Sequence, residues 1–376
     1  MPTWLIIAGA RPNFMKVAPL MKAIAKHNAA GNPPPIQPVL VHTGQHYDEK
    51  MSEVFFRELG IPAPDVNLEV GSGSHAAQTA NIMLRFEPVL TQHKPDWLIV
   101  VGDVNSTLAC TLVASKLGVR VAHVEAGLRS HDRSMPEEIN RIVTDALADL
   151  LLTPSEDANE NLRREGVPDH KIRLVGNIMI DSLVDNLDQA RRSPILRNLG
   201  VQPGKFVYVT LHRPANVDDK ETLTTIVREL ARVSQELPIL FPVHPRTRQR
   251  LTAFGLDPLL NGGIRLLEPV GYHDSLHLTE NARLVLTDSG GLQEESTYFR
   301  TPCLTLRPNT ERPVTCTVGS NRLTNPARLP ADFAATLANP AYRVGMLPPL
   351  WHGETAELCV AALIKPPPQT VPPPSS

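Results

Sequence analysis

Two kinds of segment alternate along the chain. Short apolar runs are each followed by a longer stretch with apolar residues every three or four positions, the spacing of one helical face. Trp4–Ala8, Val39–His42, Trp97–Val101, Val121–Val124 and Leu150–Thr153 are the runs of the first half. The spacing between them predicts helices from about Met15 to His27, Glu49 to Leu59, His75 to Leu90, Ser106 to Leu117, and onward from Pro136. The pattern then restarts with Ile172–Val175, Phe206–Leu211, Ile239–Val243, Ile264–Leu267, Leu284–Thr287 and Cys303–Leu306. Strand and helix in regular alternation imply a parallel sheet covered on both faces. The expected fold is α/β, with two doubly wound, Rossmann-like domains at residues 1–172 and 173–353. Two such domains in tandem leave a cleft between facing strand ends, where a ligand is expected. A last helix is predicted at 354–365, before a Pro-rich tail, 366–376, of the composition of disordered segments.

Composition narrows the partners. Hydrophobic residues are 42%, charged residues 20%, and the formal charge is −2 over 376 residues. No global field favours nucleic acid or a membrane surface, so any anion must be held by a local cluster. Cys110, Cys303, Cys316 and Cys359 show neither paired nor zinc-ligand spacing and read as reduced residues of a cytoplasmic protein. The first apolar run lacks a basic segment before it, unlike a signal peptide. No His, Asp and Glu set has metal spacing, and neither a P-loop nor a nucleophile elbow is present.

The densest chemistry lies in Val121–Arg141. Glu125 follows a strand directly, and carboxyl ends of strands in open α/β sheets face ligands. Its residue type leaves site and structure equally open. Ser134, Pro136 and Glu137 fit a capping box with Ser134 as the N-cap, which on spacing alone favours a purely structural Glu137. Ile139, Ile142, Val143, Ala146, Leu147 and Leu150 predict a buried stripe on that helix.

Further strand ends carry polar turns. Asp288-Ser-Gly-Gly291 joins a strand to a helix, so the N–H groups of Ser289, Gly290 and Gly291 suit an anion, although a plain N-cap and tight turn explain the same residues. Glu295, a turn later, is placed to accept from a ribose diol. Arg11 and Lys16 bring two cations to the first strand end, suited to a diphosphate; a solvated first turn is the bland alternative. His212 and His244 each follow a strand, where histidine can carry protons or donate to phosphate. Gly71-Ser-Gly-Ser74 lacks the third glycine of a dinucleotide fingerprint and reads better as a loop.

Taken in order, these motifs resemble the non-hydrolysing UDP-N-acetylglucosamine 2-epimerases. The match runs from Gly9-Ala-Arg-Pro-Asn-Phe-Met-Lys16 to Trp351-His-Gly-Glu-Thr-Ala-Glu357. Its most specific parts are Gly102-Asp103, His123-Val-Glu-Ala-Gly-Leu-Arg129 with Pro136-Glu-Glu138, Leu211-His-Arg-Pro214, and Thr287 to Glu295 with Thr310-Glu-Arg-Pro313. The resemblance implies the GT-B architecture, with the last helix packing back across the domains. It implies interconversion of UDP-GlcNAc and UDP-ManNAc, by elimination of UDP to a 2-acetamidoglucal and re-addition, without metal or other cofactor. By resemblance, Asp103, Glu125 and Glu137 are the catalytic carboxylates, and His212 belongs to the diphosphate or catalytic set. Arg11, Lys16, Ser289, Gly290, Gly291, Glu295 and Arg312 match positions that hold UDP or the sugar. Glu137 would then both cap and react. Neighbouring acids are expected to raise one another's pKa. A homodimer and a role in cell-envelope polysaccharide synthesis also follow from the resemblance alone.

Some positions depart from the family pattern. Gly-Ala-Arg-Pro-Asn stands where many members have Gly-Thr-Arg-Pro-Glu, and Ser275 stands where many carry Phe, which removes a packing surface near the uracil. Thr43-Gly-Gln-His-Tyr-Asp48 lacks the Gln-His-Arg pattern linked to substrate activation, so weak or absent activation is expected. Rival readings are a 2-epimerase of a modified UDP-sugar such as a UDP-diacetamido-glucuronic acid, a hydrolysing relative releasing ManNAc, and a non-catalytic nucleotide-sugar sensor. The full acid set of Asp103, Glu125 and Glu137 speaks against the sensor, and also against a glycosyltransferase.

Overall fold

The alternation is realised as two parallel sheets in a computed structural model that describes residues 1–44, 60–339 and 343–366. The first sheet comprises β1 (Thr3–Ala8), β2 (Gln37–His42), β3 (Val66–Asn67), β4 (Trp97–Val101), β5 (Val121–Val124), β6 (Leu150–Thr153) and β7 (Ile172–Leu174), in the order β3-β2-β1-β4-β5-β6-β7. The second comprises β8 (Val207–Thr210), β9 (Ile239–Pro242), β10 (Ile264–Leu267), β11 (Leu284–Thr287), β12 (Cys303–Leu306) and β13 (Asn321–Thr324), in the order β10-β9-β8-β11-β12-β13. In each the chain starts mid-sheet, builds outward one way, then crosses back to build the other. That reversal creates a crevice at the carboxyl ends of the two central strands.

The strands read as near-continuous apolar runs because helices cover both faces. Side chains alternate between faces with a period of two. Thus Val207 and Val209 join one apolar cluster of the second sheet with Phe241, Leu284 and Leu286. Phe206 and Tyr208 join the other with Leu240 and Val285. In the first sheet Leu5, Ile7, Val39, Val41, Leu98, Val100 and Leu151 form the core of one face.

Contacts divide the chain into one unit of Met1–Ser182 with the segment from Leu350 onward, and a second of Leu183–Pro349. Ile172–Leu174 pairs with β6, so it closes the first sheet and does not open the second half as the pattern suggested. The chain returns to the first unit through Trp351, whose indole N–H donates to the Pro154 carbonyl at 3.1 Å. Asp181 then accepts from the N–H groups of Thr355 and Ala356 at 3.1 and 2.7 Å, anchoring the start of the helix Thr355–Ile364. The predicted helix Glu49–Leu59, the segment Gln45–Asp48 and the tail from Pro367 lie outside the described residues. Among the described residues no helix is long and apolar enough to cross a membrane.

Candidate active site

Strand register decides which loops meet. Val101 of β4 lies opposite Val124 of β5, so Gly102 and Asp103 leave the sheet beside Glu125. β1 flanks β4 on its other side and delivers Gly9 and the helix α1 (Arg11–Ala29). Asn13 on α1 ties this edge together. Its carboxamide oxygen accepts from the N–H of Gly9 and of Ala10, both at 3.1 Å, and its nitrogen donates to the Val101 carbonyl at 3.0 Å.

Lys16, one turn along α1, forms a buried ion pair with Glu125. Gly102 lies beneath this pair at φ +65, and a methyl group there would come 2.7 Å from Lys16 Nζ. Only glycine permits both that backbone conformation and that approach. Glu125 itself sits at φ +72. A non-glycine residue held there stores on the order of 1–3 kcal/mol, and such residues cluster at functional sites.

The helix α2 (Pro136–Leu147) supplies the rest. Arg141 donates from Nε at 3.0 Å and Nη2 at 2.8 Å to one oxygen of Asp103, and from Nη1 to Glu138. Asn140 donates to the Asp103 carbonyl at 2.8 Å. The expected capping box is not formed. The N-cap position is Met135, and Ser134 instead bonds Asp132. Glu138, not Glu137, is the acid with structural partners, and it ties down the preceding loop without capping the helix. It accepts from the Ser130 N–H and hydroxyl, both at 2.9 Å, and from the His131 N–H at 2.8 Å. Burial alone would raise Glu138, but these donors and Arg141 outweigh it and hold the carboxyl below its ordinary range.

Glu137 is left half-buried on the same turn, and among the described residues its carboxylate has no hydrogen-bond partner. The predicted apolar stripe is not the buried face of the helix: Ile142, Val143 and Leu147 are half-buried, Ala146 is exposed, and Leu150 is buried but belongs to β6. The buried residues of α2 are Glu138, Asn140, Arg141, Thr144 and Asp145, while Ile139 is 45% exposed. Its inward face meets the helix Asn105–Lys116 and strand-end residues, where Asn140 bonds Asp103 and Asn105, Arg141 bonds Asp103, and Asp145 pairs with His123, so that face is polar and paired.

In the second unit the same edge carries Asp288. It accepts from the N–H groups of His212 and Arg213 and from the Asn216 amide, at 2.9 to 3.2 Å, and pairs with His212 Nδ1 at 2.9 Å. Burial would raise Asp288, but His212 and the other donors together hold it low. The pairing fixes the His212 ring while leaving its side chain 46% exposed.

Ser289 precedes the helix Gly290–Phe299, but its N–H is not free: it donates to Thr287 Oγ1 at 2.9 Å. Gly290 and Gly291 open the helix, where helical geometry supplies no acceptor for their N–H groups. A methyl on Gly290 would come 3.1 Å from Arg312 Nη1, so Arg312 stands directly over this turn, held by Glu294 at 2.7 Å and by Glu311. Glu295 is buried, and burial followed by the charge of Glu294 pushes its carboxyl up to about 8. The Tyr272 hydroxyl is raised by its own burial and then by these two acids, and among the described residues it has no hydrogen-bond partner.

The predicted residues thus fall into two groups, each built on the central strands of its own sheet. The first brings together Lys16, Asp103, Glu125 and Glu137, and the second His212, Ser289, Gly290, Gly291, Glu295 and Arg312. Arg11 begins α1, but its side chain lies outside the described residues. His244 is the N-cap of the helix Pro245–Ala253, accepting from the Arg246 N–H at 3.3 Å, a structural task. Ser74 likewise caps the helix His75–His93, accepting from Ala77 N–H at 3.2 Å. Asn13, Arg141 and Asp288 escaped the sequence reading. Arg141 lies three and four positions after the two glutamates, the spacing that places them on one helical face. Asp288 directly precedes the Ser-Gly-Gly turn. Ser275, the departure near the proposed uracil position, bonds the buried Tyr208 hydroxyl at 2.9 Å. Among the described residues no cluster of three or more His, Cys, Asp or Glu side chains could hold a metal.

Comparison with known proteins gives this geometry a context. A UDP-N-acetylglucosamine 2-epimerase from Methanocaldococcus jannaschii is 46% identical over 325 residues, covering 85% of this chain and 87% of that protein. The crystal structure of Methanocaldococcus jannaschii UDP-GlcNAc 2-epimerase in complex with UDP-GlcNAc and UDP is similar at a TM-score of 0.84 and 43% identity, over 96% of this chain and 99% of that one. A Pseudomonas aeruginosa UDP-2,3-diacetamido-2,3-dideoxy-D-glucuronate 2-epimerase is 43% identical over 327 residues, 86% of this chain and 88% of that protein. The two doubly wound sheets are those of the GT-B class that these enzymes share. The family model described as UDP-N-acetylglucosamine 2-epimerase matches residues 28–364, and with these similarities the chain belongs to the UDP-N-acetylglucosamine 2-epimerase family.

Proposed function

We propose that the chain interconverts UDP-GlcNAc and UDP-ManNAc without hydrolysing either. The observation that carries this reading is the convergence of Asp103, Glu125 and Glu137 at one sheet edge, two of them tied to cations. A carboxylate removes the proton from C2 as the C1–O bond breaks, and the electron pair of that bond leaves with UDP. The resulting 2-acetamidoglucal takes UDP back at C1 and a proton on the opposite face of C2. Among the described residues Glu137 is the carboxylate of the three without a cation tied to it, which leaves it open to bind the C2 proton; Asp103 and Glu125 are held by Arg141 and Lys16. The C2 proton is weakly acidic, so stabilising the departing diphosphate is the larger task. Arg11, Lys16, His212 and Arg312 supply cationic or donor groups for it, with the N–H groups at Gly290 and Gly291. Glu295 accepts from the ribose.

The finer parts of this reading are a homodimer, a cytoplasmic setting, supply of sugar for envelope polysaccharide, and weak or absent activation by substrate. The outward Ile139 and Leu84, at 45% and 70% exposure, support a second copy as partner. Four unpaired cysteines fit a reducing compartment. A diacetamido-glucuronic sugar is the second substrate reading, favoured by the Pseudomonas aeruginosa relative.

Incubation with UDP-GlcNAc in D2O, followed at C2 by proton NMR, tests the proposal. Deuterium at C2 with UDP-ManNAc appearing is the expected result. Free ManNAc would move the reading to a hydrolysing enzyme. Exchange only with a diacetamido-glucuronate substrate would select the second sugar, and binding without exchange on either would leave a sensor. A hyperbolic rate curve with UDP-ManNAc alone is expected; a requirement for added UDP-GlcNAc would overturn the absence of activation.

A further inference from the structure

Beneath the carboxylates lies a buried charged cluster that the reaction does not touch. His123 on β5 and Asp145 on α2 are 0% and 1% exposed, with Nδ1 and Oδ1 2.6 Å apart. The other ring nitrogen, Nε2, lies 2.8 Å from the Gly102 carbonyl. Asp145 Oδ2 accepts from the Gly127 N–H at 3.0 Å and from Arg129 Nη1 at 2.7 Å. Arg129 continues to Glu165 through Nε at 2.7 Å and Nη2 at 2.6 Å.

The Gly102 carbonyl can only accept, so His123 Nε2 donates to it. Asp145 is paired with Arg129, and Arg129 with Glu165, so the buried charges have partners.

The placement of the cluster is as informative as its charge. Asp145 holds the His123 side chain, two residues before Glu125, and the Gly127 N–H, two residues after it. One carboxylate therefore spans the strained φ +72 turn at Glu125. Through His123 the same cluster holds the carbonyl that precedes Asp103. Asp145 also rides on the helix that bears Glu137. We propose that the His123–Asp145–Arg129 cluster is the positioning unit of this site, fixing Asp103 and Glu125 relative to the helix of Glu137 without touching substrate. This inference rests on the epimerase reading above.

The test compares wild type with His123→Phe, Asp145→Asn and Arg129→Lys in C2 exchange and full turnover, each rate expressed per folded molecule. A misplacement near 1 Å costs about a hundredfold, so kcat in His123→Phe and Asp145→Asn should fall by about that factor. KM for the UDP-sugar and Kd for UDP should stay within about twofold, the signature of a lost transition-state arrangement. Arg129→Lys keeps the charge on Asp145 and loses the fork to Glu165. It should fold even where the other two do not, and lose several-fold in kcat at unchanged KM. Lower melting temperatures with wild-type kcat per folded molecule would make the cluster merely structural and overturn the proposal. An equal loss in UDP affinity would overturn it too. Wild type without C2 exchange on any tested UDP-sugar would instead sink the epimerase reading, and this inference with it.

Discussion

Arg141 reaches back over 38 residues of chain to place Nε and Nη2 on a single oxygen of Asp103, at 3.0 and 2.8 Å. The contact joins the carboxyl end of β4 to the first half of α2, so the acid and the helix bearing Glu137 move as one body. Asp103→Asn keeps the size of the side chain and an oxygen for Arg141, but cannot exchange a proton. We expect kcat for C2 exchange to fall by about 10²–10⁴, with UDP affinity by calorimetry nearly unchanged. Wild-type exchange in this variant would make Asp103 an anchor for Arg141 and nothing more.

Glu137 and Glu138 are adjacent, and the proposed function gives them opposite tasks. Glu138→Gln removes a charge from Arg141 and puts an N–H₂ group among N–H donors, which should cost about 3–5 kcal/mol, the usual penalty for breaking a buried pair. Chemical denaturation would read it. Glu137→Gln should leave the denaturation midpoint unchanged and abolish most of the turnover. An equal loss of stability in both variants would contradict this division.

Glu295 predicts a pH dependence with a definite sign. Its folded carboxyl titrates at about 8, above the ordinary value of 4.5. Between those values the folded protein keeps a proton that the unfolded chain has released. Stability therefore falls as pH rises from 4.5 to 8, with a limiting slope of about 1.4 kcal/mol per pH unit from this group. It levels off above 8. In Glu295→Gln that slope should be absent, so the variant gains on wild type as pH rises, which denaturation at a series of pH values would show. If ionised Glu295 accepts from the ribose, UDP binding should release a proton and tighten toward pH 8, which calorimetry in buffers of different ionisation enthalpy would detect.

The proposed homodimer can be tested at two exposed apolar side chains. Ile139→Glu and Leu84→Glu place charges on outward apolar positions that a second copy would cover. Sedimentation should show a dimer for the wild type and monomer for the double variant, with the fold intact by circular dichroism. A wild-type monomer at all concentrations would remove the dimer from the proposal.

Much of this molecule is determined locally. The strands of both sheets follow from apolar runs too short for helices, because a strand buried on both faces must be apolar throughout. Glu125 and Asp103 could be placed at strand ends from the chain alone, since a polar residue that follows such a run must leave the sheet. Other features were settled only by tertiary contact. Spacing favoured a cap by Glu137 with Ser134, but no such cap forms, and the neighbouring Glu138 is the buried acid because the N–H groups of Ser130 and His131 fold back against it. The apolar positions of α2 gave the right period, but its fully buried face is the polar one and the apolar positions are half-buried or exposed. Periodicity reports that a helix has two sides, but not which side meets polar loops and which meets solvent or another surface. The link between Lys16 and Glu125 spans 109 residues and depends on β1 and β5 flanking β4, a pairing of distant segments that no local pattern encodes.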